Sequence, residues 1–472
     1  MELFAVTPVR AKNILCALFV ILWAFFLPVN LMQEYLITLS SDKHTLHSMV
    51  DIKLQLDKVP LNRPVSLCFT PCNSLTIEFI DELMRNLPPN VHGVNIVSLI
   101  NFARIPFVHR LFSSLPLQIK YVCADNLWDH MTIEDAEGNE EKFAEDLINL
   151  FKALPKHVTK FRFKKNSLGM HPDLLSIILS GLSHIHSLDL RDNELLNIPE
   201  ESWPNIWSHL SESVSELLLN FKCNNPDLIF SIDAKQKKIL STLPLQVKTL
   251  GLEVSDFINL VQEEANVVFS CLSNNVKTLR WFPSKIGGGL EPIIKATPPS
   301  ITTLDLSDFS LGVFGFEKIL GLVGQIPWTV ISLNLDYNAL NILSTQQLGE
   351  LMAEIPHTLT QISLRGNLLF KNKNLVQHEQ LLETLKPYNT DGRLLLENNA
   401  ENQMLLAAIP LVQLVKDRRL PVELADEISQ YLKPKKPHFF YEIYTKLTCG
   451  NTQNNNSPTR EEGSLATLSH FQ

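Results

Sequence analysis

The sequence predicts an α/β solenoid, with short parallel strands lining a concave face and helices covering the convex one. Two observations predict it. An aliphatic L-x-L pair recurs at nearly constant spacing along most of the 472 residues, and an amphipathic segment, often ending in Leu-Pro or Ile-Pro, precedes each pair. A third makes it affordable: 45% of the residues are hydrophobic, enough for a large core that stacked units can share.

The clearest copies start at His184 (HIHSLDLRDNELL), Ser300 (SITTLDLSDFSLG), Thr329 (TVISLNLDYNALN) and Thr358 (TLTQISLRGNLLF), and together they read L-x-x-L-x-L-x-x-N-x-L. The central aliphatic position falls at Leu67, Val94, Val122, Phe161, Leu188, Leu217, Leu250, Leu279, Leu304, Leu333 and Ile362, at gaps of 25 to 39 residues. A degenerate earlier copy is expected from Leu36, with Leu39 and Leu46 in phase. Alternation puts both aliphatic residues of a pair on one strand face. A single unit cannot cover that face, so neighbouring units must stack in parallel and bury it as a ladder.

The linkers have room for a helix. Residues 78–87, 143–154, 172–182 and 345–355 carry apolar residues at three-to-four spacing and should form helices behind the strands. Asn at the ninth position, present as Asn166, Asn193, Asn338 and Asn367, can satisfy backbone groups where the chain leaves the strand. Cys72, Ser255 and Ser284 are candidate small substitutes, whereas Leu99, Leu127, Lys222 and Phe309 mark degenerate turns.

This motif resembles the leucine-rich-repeat family, in its longer ribonuclease-inhibitor-like class, which implies a horseshoe with a true helix on the convex side. RNLPPNVHGVNI, STLPLQVKTLGL and AEIPHTLTQISL are also similar to repeats of effectors that intracellular bacteria inject through type IV secretion systems. The resemblance covers residues 60 to 370 and implies a secreted protein-binding scaffold.

The chain divides into a hydrophobic segment 1–32, the repeats 33–392, a helical cap 393–448 and a polar tail 449–472. Ile14–Leu27 is apolar all round and continues to Met32, which reads as a signal anchor tethering the chain to a membrane or as a helix capping the solenoid. The acidic stretch 133–141 reads as a solvated insertion, and Gly287, Gly288 and Gly289 lack the Lys-Ser/Thr of a phosphate loop. Repeat phase is lost beyond Arg393. Leu420, Pro421, Glu423, Ile428, Tyr431 and Leu432 resemble the opening helix of an F-box, which implies an alternative role as a ubiquitin-ligase substrate adaptor. In the tail, Glu461, Glu462, Leu465, Leu468 and Phe471 resemble acidic and hydrophobic features of type IV secreted effectors.

The formal charge of −9 gives no global attraction to nucleic acid, and none is expected as a partner. Seven scattered cysteines make neither a disulfide framework nor a zinc set. No His-Glu-x-x-His, Gly-x-Ser-x-Gly or paired Cys-x-x-Cys motif is present, so the reading is a monomeric scaffold without cofactor or catalysis. The residues beside the buried pairs should form its recognition surface: Lys160, Arg162, Lys164, Asp189, Arg191, Glu253, Arg280, Phe282, Asp305, Asn334, Asp336, Gln361 and Arg365. Their signs alternate in blocks, which suits a protein partner of complementary charge.

Overall fold

The computed structural model describes residues 35–39 and 65–399, apart from 70–75, 97–104, 128–139, 223–231, 258–259 and 284–289 and positions 372, 374, 390, 391 and 398. The anchor or capping segment 1–32, the insertion 133–139, the three glycines, the F-box-like residues and the tail lie outside the described residues, as do Leu99, Cys72 and Ser284.

One parallel sheet runs through the molecule in chain order. Its strands are β1 (Tyr35–Leu39), β2 (Val65–Phe69), β3 (Val91–Ile96), β4 (Tyr121–Cys123), β5 (Lys160–Arg162), β6 (Ser187–Asp189) and β7 (Glu216–Leu218). They continue as β8 (Thr249–Glu253), β9 (Thr278–Phe282), β10 (Thr303–Asp305), β11 (Ser332–Asn334), β12 (Gln361–Ser363) and β13 (Leu394–Leu395). All eleven expected central residues stand opposite one another, from Leu67↔Val94 through Leu333↔Ile362. Each of these residues is buried. At about 1.5–3 kcal/mol per fully buried aliphatic side chain, this row and its partner row (Phe69 to Leu364) are the main force that stacks the repeats.

Both ends of the array differ from the sequence reading. In the first copy Ile37 stands opposite Leu67 and Leu39 opposite Phe69, so the phase is two residues earlier than Leu36, Leu39 and Leu46 suggest. At the other end the ladder does not stop at 392, because Leu394 pairs with Ile362 and Leu395 with Ser363.

Helices lie behind the sheet, and the four expected ones are present as α1 (Ile77–Arg85), α3 (Glu140–Lys152), α4 (Pro172–Gly181) and α10 (Thr345–Glu354). Between them come α2 (Ile105–Ser113), α5 (Trp203–Ser208), α6 (Ile232–Ser241), α7 (Gln262–Ser270), α8 (Leu290–Lys295) and α9 (Phe316–Gly324), and α11 (Leu375–Leu385) follows. Spacing dictates the packed face: Ile80, Leu83 and Met84 of α1, and Leu348, Leu351 and Met352 of α10, are buried. Ser344 and Gln347 cap α10 reciprocally, which satisfies two orphan N–H groups. Where the spacing is longest the core becomes aromatic: Phe151 meets Phe161 and Phe163 edge-on, at 5.8 and 5.9 Å between ring centroids.

Two kinds of turn join helix to sheet. Entering a strand, Ile119 N–H donates to Pro116 O, Val247 to Pro244 and Val330 to Pro327, so Leu-Pro or Ile-Pro opens a tight turn whose next residue faces solvent. Leaving a strand, the ninth-position asparagine ties adjacent repeats together. Asn193 is fully buried; its Nδ2 donates to Phe163 O of the previous repeat and to Leu190 O of its own, and its Oδ1 accepts from Asn166 N–H. Asn367 repeats the arrangement with Leu335 O, Leu364 O and Asn338 N–H. Asn399, outside the expected set, does the same with Leu364 O, Leu396 O and Leu369 N–H.

These asparagines hold a costly backbone. Asp192 and Glu194 flank Asn193 at φ 60° and 55°, a region L-residues avoid. Among the expected substitutes, Ser255 is exposed and its hydroxyl only reaches Glu253, at 3.4 Å. The neighbouring Asp256 takes the backbone role, accepting from Phe221 N–H at 2.7 Å. Leu127 and Phe309 are buried and plug their turns with apolar volume, whereas Lys222 is exposed.

Candidate recognition surface on the concave face

With the aliphatic pairs turned inward, strand alternation brings the intervening residues of successive strands side by side on the other face. The sequence reading expects a recognition surface whose charge changes sign along its length. The structure shows that most of these charges are paired across strands. Arg162 is bound by Asp125, which also accepts from Lys164 N–H. Lys164 Nζ lies 3.3 Å from Asp192. Arg191 contacts Asp189 at 2.8 Å and Glu253 at 3.9 Å, and Arg280 sits between Glu216 at 3.7 Å and Asp305 at 3.5 Å. Farther along, Asn334 receives Asp336 N–H, Asp336 receives Ser363 Oγ–H and Arg365 N–H, and the Arg365 guanidinium reaches Glu397 at 2.6 Å. Lys160 and Gln361 remain exposed at the strand starts. Asp189 and Asp336 are buried and serve the sheet first.

Two consequences follow for the expected residues. Arg162 and Lys164, then Asp189, Arg191 and Glu253, then Arg280 and Asp305, and finally Asp336 and Arg365 fall into successive partnered groups along the sheet, so the face carries oriented rather than free side chains. The partners Asp125, Glu216 and Glu397 were not anticipated, although each occupies a position equivalent to an anticipated one in its own repeat. That equivalence was the available signal.

At the middle of the face the charges surround an apolar centre. Leu218 on β7 and Phe282 on β9 lean toward each other above Gly251 on β8. A Cβ at Gly251 would lie 2.4 Å from Leu218 Cδ2 and 2.7 Å from Phe282 Cε2, so only glycine lets both side chains close over the strand. Phe282 is half-buried, with the Arg191 guanidinium 3.6 Å from its ring centre and that of Arg280 at 5.0 Å. Leu218 also escaped the sequence reading; its signal is the run Leu217-Leu218-Leu219, where the middle position should be polar.

Titration behaviour follows burial. Desolvation, with Glu253 and Asp192 nearby, pushes Asp256 up to about 8 despite its bond from Phe221 N–H. Burial raises the Cys123 thiol to about 12 and raises Cys68 as well, so neither is thiolate-like. Among the described residues no three His, Cys, Asp or Glu groups gather to hold a metal ion, and no helix is long and apolar enough to cross a membrane.

No protein-family profile matches this chain, and no curated protein sequence does. The structure is similar to the crystal structure of the leucine-rich repeat-containing protein LegL7 from Legionella pneumophila. The TM-score is 0.51, and the two share 18% sequence identity over 70% of this chain and 100% of that one. The likeness is one of fold, and with the thirteen-strand ladder it makes this molecule a leucine-rich-repeat solenoid.

Proposed function

We propose that the chain is a scaffold, without a catalytic step, that binds a protein partner along its concave face. Phe282, backed by the buried Leu218, would form the apolar centre of contact. The observation that carries this reading is the partly exposed Phe282 ring, clamped by Arg191 and Arg280 on a broad strand surface. Aromatic and Arg side chains dominate binding energy where a rim of other contacts excludes water. Here both guanidinium groups are already oriented by carboxylates, which lowers the entropy lost on docking. The paired charges then act on specificity and encounter rate more than on affinity.

The repeat resemblance and the Legionella fold neighbour support a bacterial effector delivered into a host cell as the setting. The test uses the full chain. Capture of a host protein should weaken about thirtyfold or more in Phe282→Ala, as expected for a contact worth about 2 kcal/mol or more, and in Arg191→Glu/Arg280→Glu. Equal capture by all three proteins refutes concave binding. A translocation reporter fused to the chain, expressed with and without a working type IV system, tests delivery separately.

A further inference from the structure

One rim of the solenoid carries features that the concave face does not explain. Most of the described helix-to-strand turns present one residue to solvent just after a Pro or Ser. In three turns that residue is a large apolar side chain: Leu117 is 74% exposed, Leu245 70% and Trp328 76%. All three stand five positions before a central ladder residue (Val122, Leu250 and Leu333), so the sheet register places them along a single edge. With strands about 4.8 Å apart, the seven steps from β4 to β11 spread them over roughly 34 Å. None helps to fold the chain, since the buried Pro-turn aliphatics beside them (Ile119, Val247 and Val330) already fill the core.

The same edge is basic in a chain of net charge −9. Lys120, Lys156, Lys248 and Lys277 are exposed there, against Glu212 as the acid among the described residues at equivalent turn positions. Lys248 N–H donates to Ser215 O and Lys277 N–H to Lys248 O, which fixes neighbouring lysines on successive repeats. Unlike the arginines of the concave face, none of the four is ion-paired among the described residues. Lys248 Nζ only touches Leu245 O, at 2.9 Å. Two neighbouring histidines register the positive surroundings: burial and then Lys120 hold His157 low, and burial and then Lys156 hold His184 low.

We propose that this rim docks flat on an anionic bilayer, with Leu117, Leu245 and Trp328 entering the headgroup region and the four lysines facing lipid phosphates and carboxylates. Aliphatic tips beside a Trp suit the water–hydrocarbon boundary, where an indole anchors at headgroup depth and leucine gains by leaving water. Nucleic acid is the poorer match, because leucine offers no ring for a base to stack on. Docked in this way, the concave face stays open, so membrane contact and partner binding are compatible.

The test is co-sedimentation of the full chain with vesicles of phosphatidylcholine alone or mixed with phosphatidylserine. The wild type should favour the anionic vesicles and release at high salt. Removing positive charge should weaken binding about fivefold per lysine, so Lys120→Glu/Lys156→Glu/Lys248→Glu/Lys277→Glu abolishes it. Leu117→Ser/Leu245→Ser/Trp328→Ser should lower partitioning at least tenfold and remove a blue shift in tryptophan emission. Phe282→Ala should bind vesicles as wild type does. All these positions except Phe282 are exposed, so the variants should keep wild-type circular dichroism. Undiminished binding by both rim variants would place attachment elsewhere, for example in residues 14–32, and overturn the proposal. Equal binding to neutral vesicles, or retention of a polyuridylate oligonucleotide without vesicles, would overturn it too.

Discussion

Replacing Asn193 with alanine isolates the joint between repeats from the ladder itself. The substitution leaves Phe163 O, Leu190 O and Asn166 N–H without their side-chain partner inside a fully buried turn. At about 1–3 kcal/mol for each buried group left unsatisfied, the loss is about 3–5 kcal/mol once a water recovers part of it. That is a large fraction of the 5–15 kcal/mol typical of a folded domain. Because each repeat leans mainly on its neighbours, the damage should be centred on β5 and β6. Guanidinium denaturation followed by circular dichroism gives the total, and hydrogen exchange gives the place, with Asn166 N–H losing protection first. Ser255→Ala is the internal control: it should change stability by less than about 0.5 kcal/mol, as exposed substitutions usually do. A loss below about 1 kcal/mol in Asn193→Ala, or exchange unchanged at Asn166, would show that the asparagines do not join the repeats.

Three further outcomes follow from the same structure. Asp256 titrates near 8 when folded and near 4 when unfolded, so between those values the folded chain holds a proton that the unfolded chain has lost, and stability falls as pH rises. Asp256→Asn keeps the acceptor for Phe221 N–H, so it should be nearly neutral at pH 4 and gain about 2–4 kcal/mol by pH 8; a gain independent of pH sinks the assignment. Gly251→Ala should displace Leu218 or Phe282, cost about 1–3 kcal/mol in thermal or chemical unfolding and weaken partner capture; wild-type capture would mean that the apolar centre is not the contact. Leu304→Ala, in the middle of the ladder, should cost about 2–5 kcal/mol, and a cost near zero would contradict its place in the core.

The ladder was legible because burial imposes one residue type at one phase, and periodicity survives even where Phe161 or Ile362 replaces leucine. Its ends were not. Near Ile37 the aliphatic residues are dense enough to support two phases, and only pairing with Leu67 decides between them. Near Leu394 the strand has two residues, the gap from Ile362 is longer than most, and Leu394-Leu395-Leu396 hides the alternation. Asn399 was nevertheless in phase and could have extended the array.

On the concave face the sequence identifies which residues share a surface but not which neutralise one another. Pairing depends on which side chain can span to the next strand: Arg280 reaches both ways, to Glu216 and to Asp305, whereas Lys160 reaches neither. The substitute in the β8 turn was misread for a similar reason. Ser255 occupies the right position but points outward, and Asp256, one residue later, is longer and turns in. Local irregularity shifts a functional atom by one residue without disturbing the aliphatic period.

The central functional claim is that a partner lies against the sheet. A photo-crosslinking residue placed at Thr249, beside the Leu218–Phe282 pair, should yield one discrete adduct with a host protein, lost when Phe282→Ala is introduced. The same residue at the exposed Gln346, on the outer helix α10, should yield none. Adducts of equal strength from both positions, or an adduct from Gln346 alone, would contradict it.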